Sequence, residues 1–225
     1  MPPLNQRKNI PTLVKNAGLV EKRRRQIIEA AVELFVHKGF HLTTTREIAA
    51  AAGFSIGTLY EYIKSKEDVL YLVCDAIHSA MEEQLRQALD EGGTSREALA
   101  GALANYFGVC DRMQDHILLV YQETGSLSPE SRKFVLANDE RITAIFEEIL
   151  RRGAADGTLH PGREKAVRLM AHNITVLGHM WTFRRWFLRR HYTLEEFTRL
   201  QTSMIMNELS ASPRGRPSVS RGGEA

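Results

Sequence analysis

The strongest constraint on the fold comes from two short helices that the sequence predicts between Thr44 and Ile63. A Thr-x-x-Glu capping box, Thr44–Glu47, opens the first helix, because each side chain can bond the other residue's backbone amide. Gly53 ends that helix, since glycine adopts the left-handed conformation of a tight turn without steric cost. Ser55 is placed to cap the second helix, in which three apolar residues share one face: Ile56, Leu59 and Ile63. Two short helices around a glycine turn predict a helix-turn-helix.

Helical periodicity extends over almost all of the remaining chain. Apolar residues recur every three or four positions, and no stretch alternates apolar and polar residues as a half-buried strand would. A first helix is predicted from Glu21 to Gly39, and a long helix from Ser65 to Gly92. Further helices are predicted over residues 95–112, 115–125, 129–155, 162–188 and 194–208. We therefore predict an all-α protein of about nine helices.

Changes of composition divide the chain into four segments. Residues 1–20 contain three prolines and predict a flexible arm, residues 21–81 hold the helix-turn-helix, and residues 82–209 form a second helical domain. Residues 210–225 are rich in Ser, Pro, Gly and Arg, which predicts a disordered basic tail. Within this tail, Pro213–Pro217 has the shape of an AT-hook core, which would lie in an A·T-rich minor groove. A plain flexible tail is the other interpretation, and the sequence leaves both open.

The positive charge is concentrated in the first segments. Residues 1–67 hold 11 Lys/Arg and 6 Asp/Glu, a net charge of +5, whereas residues 68–209 hold 16 and 20, a net charge of −4. A basic head on a mildly acidic body indicates a polyanion partner for the head. Hydroxyl-bearing and small side chains open the second short helix, where they can approach phosphates and base edges closely. The pattern therefore predicts binding to double-stranded DNA.

Motifs for catalysis, metals or membranes are incomplete. Gly53–Gly57 matches the Gly-x-Ser-x-Gly nucleophile pattern, but that motif needs a preceding strand and here follows a helix. His172 and His179 share a helix face without a third metal ligand, so packing or pocket roles are favoured. Cys74 and Cys110 form no Cys-x-x-Cys pattern, which fits a reduced cytoplasm. No apolar run approaches the roughly 18 residues of a membrane span. We predict no catalytic residue, metal, cofactor or membrane contact.

Residues 21–81 resemble the DNA-binding domain of the TetR/AcrR family of bacterial transcription regulators. The resemblance covers the helix-turn-helix and the helices on both sides of it. One departure is Ile63, where the family usually has Phe, and both residues are apolar. The matching strings are Ile27–Ala31, Leu34–Phe35, Gly39–Phe40, Thr44–Ala49, Ala52–Gly53, Gly57–Ile63 and Lys66–Leu70.

This resemblance implies three groups of DNA contacts. The residues that would touch the DNA backbone from the first short helix are Thr44, Thr45 and Arg46. The residues that would enter the major groove are Ser55, Gly57 and Thr58. The residues that would hold phosphates are Tyr60, Tyr62 and Lys66.

Residues 120–206 resemble one branch of the same family, the repressors of lipid and sterol breakdown that sense acyl-CoA thioesters. The matching strings are Val120–Glu123, Asn138–Glu140, Ile149–Gly157, Trp181 and Arg185–Phe187. An aromatic ring beside guanidinium groups suits a nucleotide-tailed ligand. We therefore predict an effector site at Trp181, Arg184 and Arg185, with solvent-facing arginines as the alternative interpretation.

The combined pattern predicts a ligand-responsive repressor in the bacterial cytoplasm, associated with the nucleoid. A homodimer is expected, because one short recognition helix offers few contacts and two heads read a palindromic operator. We predict that the dimer contact lies on the last two long helices and includes Leu177 and Ile205. The effector would be an acyl-CoA thioester or, alternatively, a plain hydrophobic or aromatic compound. A helical enzyme with a DNA-binding head and an effector-free architectural protein are the other classes left open.

Overall fold

The computed structural model describes residues 8–87 and 93–210, and all regular structure in these ranges is helical. This confirms the predicted all-α class, with ten α-helices in the described residues. The first seven residues of the predicted arm and the tail segment Pro213–Pro217 lie outside the described residues. The α-helices are α1 Ala17–Lys38, α2 Thr45–Ala51, α3 Ile56–Tyr62, α4 Lys66–Gln87, α5 Ser95–Arg112, α6 Gln114–Glu123, α7 Pro129–Asp156, α8 Glu164–Phe183, α9 Arg185–His191 and α10 Leu194–Ser210.

The first three helices form the predicted helix-turn-helix domain. The capping box is present, since Thr44 Oγ1 accepts from Glu47 N at 3.3 Å and Glu47 Oε2 accepts from Thr44 N at 2.8 Å. Gly53 has φ +76°, so a glycine is needed at the turn. Ser55 Oγ accepts from Thr58 N at 3.1 Å and caps α3. The side chains that close the small core of this domain include Ile27, Phe35, Ile48 and Leu59.

Residues 8–14 are not the free arm that the proline content predicts. They lie across the helix-turn-helix domain, where Leu13 N donates to Glu61 O at 2.9 Å at the end of α3. Ile10 is buried, and its carbonyl accepts from Arg24 Nη2 at 2.7 Å. We call residues 8–14 the N-terminal strap. The flexible-arm prediction is therefore wrong from residue 8 onward, because one buried isoleucine and several hydrogen bonds hold this segment.

Helix α4 runs without interruption across the predicted boundary at residues 81 and 82, so the two domains share it. Helices α5 and α7 pack against it, and α8 packs against α5 and α7 around buried aromatic side chains such as Tyr106 and Phe146. Gly178 on α8 lets this helix approach α5 closely, since a Cβ at Gly178 would lie 2.3 Å from the ring of Tyr106 on α5. No described helix has the length and hydropathy needed to cross a membrane.

The single helix predicted over residues 162–188 is two helices in the structure. Helix α8 ends at Phe183, and α9 starts at Arg185 after a non-helical residue with φ −108° and ψ 22°. No proline or glycine marks this break, and so periodicity could not show it. After this break, Leu188 packs against the core and Arg189 Nη2 lies 2.6 Å from Asp111 Oδ1.

Candidate DNA-binding and effector sites

The residues expected to contact DNA lie at the starts of α2 and α3. Thr44 and Arg46 are exposed, and Thr45 Oγ1 lies 3.3 Å from Tyr60 Oη, which joins α2 to the outer side of α3. Ser55 and Gly57 are exposed at the first turn of α3, and Thr58 is half-buried, with its hydroxyl 3.0 Å from Ser55 Oγ. These side chains form one polar surface, and the side chain of Ile56 in the first turn of α3 is also exposed beside them.

Two residues of the predicted phosphate-binding group have other roles. The side chain of Tyr62 is only 4% exposed and packs in the core near Phe54, at 6.4 Å between ring centroids. Lys66 Nζ donates to three backbone carbonyls, at 2.9 Å from Phe40 O, 3.3 Å from His41 O and 2.9 Å from Thr43 O. The sequence predicted that both side chains face the DNA. Helical spacing does not show which loops fold over a helix end, and so it could not show these contacts. The ammonium of Lys66 closes the loop between α1 and α2.

We expect Lys66→Met to lower stability rather than to remove a phosphate contact. Three backbone carbonyls would lose their donor, which is expected to reduce the free energy of unfolding by about 1–3 kcal/mol. Lys64→Met is the matched control, since Lys64 is exposed and should change stability little. Urea unfolding of both variants measures the difference. Equal stability of Lys66→Met and the wild type would contradict the capping role.

A cavity of about 400 Å³ lies in the second domain between α4, α6, α7 and α8. We call it the α4–α8 cavity. Its apolar wall includes Val120 and Tyr121 from α6, Val135 from α7 and Val176 from α8. A smaller void of about 30 Å³ continues inward past Tyr121, with Ile142 on its wall. The cavity is large enough to hold an organic ligand of moderate size.

Polar side chains from three helices line the other wall of the α4–α8 cavity. They are His78 from α4, Asp139 from α7, and His172, Thr175 and His179 from α8. Burial lowers the pKa of His78 and of His179, and nearby Asp139 opposes this effect in both rings. Both imidazoles are therefore neutral at pH 7. Within residues 8–87 and 93–210, no group of three or more His, Cys, Asp or Glu side chains is placed to hold a metal ion.

The same cavity borders the contacts that hold the two domains together. Thr124 and Gly125 line it from the short 3-10 helix Thr124–Ser126, and Ser126 Oγ lies 3.2 Å from His41 Nε2 in the DNA-binding domain. Arg132 also lines the cavity and donates to the Gly125 carbonyl at 2.8 Å, which fixes this 3-10 helix. A ligand in the cavity would therefore touch a segment that directly contacts the first domain.

A second set of contacts joins the start of α4 to the start of α7. Glu67 Oε1 accepts from Ser128 N at 3.1 Å and from Ser131 Oγ at 3.2 Å. Lys8 Nζ in the N-terminal strap donates to Asp68 Oδ1 at 3.2 Å and to Ser131 Oγ at 2.9 Å. Burial is the largest single effect on the pKa of Glu67 and raises it, but the hydrogen bonds from Ser128 and Ser131 together outweigh burial, so the pKa is lowered. We call Lys8, Glu67, Asp68, Ser128 and Ser131 the interdomain joint.

The effector cluster predicted at Trp181, Arg184 and Arg185 is not formed. The indole of Trp181 is 2% exposed and donates from Nε1 to Asp111 Oδ1 at 2.8 Å, away from the α4–α8 cavity. The Arg184 guanidinium lies 5.0 Å from the exposed ring of Trp186, and Arg185 pairs with Asp115 at 3.2 Å on the surface. The break after α8 turns these arginines outward, so the spacing of four residues does not produce a stacked pair.

The two residues predicted at the dimer contact are both partly or fully covered within one subunit. Leu177 is half-buried against the core, and Ile205 is 7% exposed. Helices α8 and α10 run antiparallel, since Trp181 packs on Phe197 and His160 N donates to Leu209 O at 2.8 Å. Both helices also carry exposed apolar residues away from the cavity, which we call the α8–α10 face: Leu169, Leu200 and Met204.

These features define a two-domain helix-turn-helix protein with a ligand-sized cavity beside the connection between the domains. Residues 27–71 match the family model described as bacterial regulatory proteins of the tetR family. Residues 92–207 match the model described as the tetracyclin repressor-like C-terminal domain. The chain belongs to the TetR family.

The similar proteins include transcriptional regulators and solved structures. The chain is 27% identical over 213 residues to the HTH-type transcriptional regulator HbdR of Aromatoleum sp. strain CIB, which covers 95% of this chain and 91% of that protein. A tetR-family regulatory protein from Rhodococcus RHA1 superposes with a TM-score of 0.71 at 26% identity, over 85% and 98% of the two chains. FadR from Bacillus subtilis in complex with stearoyl-CoA has the same fold, with a TM-score of 0.66 at 24% identity over 81% and 95%.

Proposed function

We propose that this protein is a ligand-responsive transcriptional repressor and performs no catalysis. A homodimer binds a palindromic operator through α3 of each subunit, and an acyl-CoA thioester in the α4–α8 cavity releases it. The observation that carries the proposal is the position of His78 on α4, because this helix lines the cavity and also starts at the interdomain joint. A ligand that favours a different position of α4 changes the distance between the two heads.

A ligand can lower the affinity of the repressor for its operator if it binds the conformation that does not fit the operator more tightly than the conformation that does. A ligand shifts the equilibrium by its differential affinity, which is typically worth about 1–3 kcal/mol. The ligand would reach both α4 and the 3-10 helix Thr124–Ser126 from one cavity. The complex of the structurally similar FadR with stearoyl-CoA supports a thioester as the ligand class. The acyl chain would fill the apolar wall at about 0.8 kcal/mol per buried methylene.

A plain hydrophobic or aromatic effector without CoA is the second candidate. The guanidinium of Arg132, which lines the cavity, already donates to the carbonyls of Thr124, Gly125 and Leu127. Its remaining capacity to bind CoA phosphates is therefore reduced. Because Arg132 already makes these hydrogen bonds, the cavity favours a ligand that needs no arginine.

Operator-bound protein titrated with matched acyl-CoA and free-acid pairs distinguishes the two candidates. Release by the thioester at a concentration at least about tenfold lower than the free acid is expected if CoA contributes a charge-assisted hydrogen bond. Leu136→Trp, which fills the cavity from its wall, should abolish release and keep operator binding, whereas Leu136→Ile should respond like the wild type. Fluorescence anisotropy of a labelled operator gives both readings. Full response of Leu136→Trp would contradict the assignment of the cavity.

A further inference from the structure

We propose that the acyl group that enters the α4–α8 cavity carries a hydroxyl, which donates its one hydrogen bond to the Asp139 carboxylate, with His78 Nε2 as a second acceptor that lines the same cavity. The route by which this group arrives, as part of a CoA thioester, rests on the proposed function. The preference for a hydroxyl rests on the cavity wall alone, and small probes without CoA can test it separately.

His78 presents a hydrogen-bond acceptor to the cavity. Its Nδ1 lies 2.9 Å from the carbonyl oxygen of Cys74, which can only accept, and so Nδ1 carries the proton. Burial lowers the pKa of His78, which keeps the ring neutral and leaves a lone pair on Nε2. Because His78 is 5% exposed and lines the cavity, this nitrogen can be reached only by a bound ligand or by water.

Asp139 presents a second acceptor close to the first. The residue is half-buried, lines both the cavity and the inner void, and acts electrostatically on His78 and His179. Within the part of the chain that the structure describes, its carboxylate takes part in no hydrogen bond or ion pair. A carboxylate accepts but cannot donate, so the ligand must supply the proton. Two acceptors that line one cavity favour a ligand that brings a donor, and a hydroxyl can donate to one of them at a time.

Other polar groups fit this wall less well. A carboxylate or a phosphate would face the charge of Asp139 across a partly apolar cavity, where like charges repel strongly. A ligand cation would meet the guanidinium of Arg132 in the same cavity. A methyl group would leave the carboxylate of Asp139 desolvated without a partner, which is costly. A ligand that is apolar except for one neutral donor gives the Asp139 carboxylate a hydrogen bond and also fills the space beside Val120 and Val135.

Binding of phenol, toluene and anisole to the full-length wild-type protein tests the inference without CoA or DNA. Phenol and toluene have nearly the same size, and anisole has an oxygen that cannot donate. We expect calorimetry to show phenol binding about tenfold tighter than toluene or anisole, the size of one hydrogen bond to a charged acceptor. Equal binding of phenol and toluene, or tighter binding of benzylamine than of phenol, would overturn the inference.

Asp139→Leu locates the preference at one side chain. The change removes the acceptor at similar volume, and we expect the preference for phenol over toluene to fall to about twofold or less. Glu140→Gln is the matched control, because Glu140 is the next residue, is exposed, and loses the same charge. An unchanged preference in Asp139→Leu would reject the role of Asp139. Circular dichroism confirms that both variants are folded.

A pair of thioesters separates this inference from the proposed function. We expect 3-hydroxybutyryl-CoA to release the operator at a concentration about tenfold lower than butyryl-CoA. No release by either thioester, together with a retained preference for phenol, would reject CoA as the ligand and uphold the hydroxyl. Equal release by both, together with equal binding of phenol and toluene, would reject the hydroxyl and keep the thioester.

Discussion

Met204→Glu is expected to convert the proposed dimer into a folded monomer that no longer binds its operator tightly. Met204 is 57% exposed on the α8–α10 face, so a glutamate there is solvated in the separate subunit. In a dimer that buries this face, the same carboxylate would be desolvated and unpaired, which costs several kcal/mol. Because one head reads only half of a palindrome, operator affinity should fall at least about 100-fold.

Sedimentation and circular dichroism together measure this result. Met204→Leu is the matched control, since it keeps an apolar side chain and should remain a dimer. Ile205→Glu should behave differently from both, because Ile205 is already buried within its own subunit and a charge there would unfold it. A Met204→Glu protein that still sediments as a dimer would show that the two subunits meet elsewhere.

Enlarging Gly57 is expected to weaken operator binding strongly while it leaves the fold intact. In the described part of the chain and beyond the backbone of α3 itself, a Cβ at this position would have only Ser55 Oγ within 4 Å, at 3.8 Å, so the first atom of a side chain fits in the free protein. Gly57→Leu should raise the free energy of unfolding by about 0.5 kcal/mol, since glycine is a poor helix former. Each head would lose about 1–3 kcal/mol of base contact, or about 100-fold in affinity for the dimer.

Gly101→Ala provides the control for the helix effect at a site far from α3. It lies in α5, is exposed, and has nothing within 4 Å of an added Cβ. This variant should gain about 0.5–1 kcal/mol of stability and bind the operator normally. Gly57→Ala should lose less affinity than Gly57→Leu, and both should keep the wild-type salt dependence, because no phosphate contact is removed. Operator affinity of Gly57→Leu equal to the wild type would show that the start of α3 does not enter the groove.

The parts of the fold that local chemistry specifies could be predicted from the sequence. The capping box at Thr44 and the left-handed turn at Gly53 are each set by residues within four positions of one another, and both are present. The break at Arg184 could not be predicted, because it depends on Asp111 and the core rather than on a local breaker. The strap was missed for the same reason: Lys8 is held by Ser131, 123 positions away.

The candidate effector site shows the limit of reasoning from one helix at a time. Trp181 and Arg185 are four residues apart, and spacing alone predicted a cluster that the helix break removes. The α4–α8 cavity gathers His78, Asp139 and His179 from three helices that are far apart in sequence. Only the packing of the helices brings these residues together; no local pattern marks His78, and the string Asn138–Glu140 marks Asp139 without showing what it faces.

The N-terminal strap also limits how regulators of this kind can be recombined. Its main chain is bonded to the last turn of α3 through Leu13, and its Lys8 reaches Ser131 in the other domain. If only the segment from α1 to α3 were exchanged between two regulators, the hybrid would combine foreign DNA-binding helices with the native N-terminal strap. The natural unit of exchange therefore starts ahead of α1, and it must be matched with the start of α7 on the receiving side. A hybrid regulator designed for a new promoter must therefore keep the contact between Lys8 and Ser131, or replace both partners together.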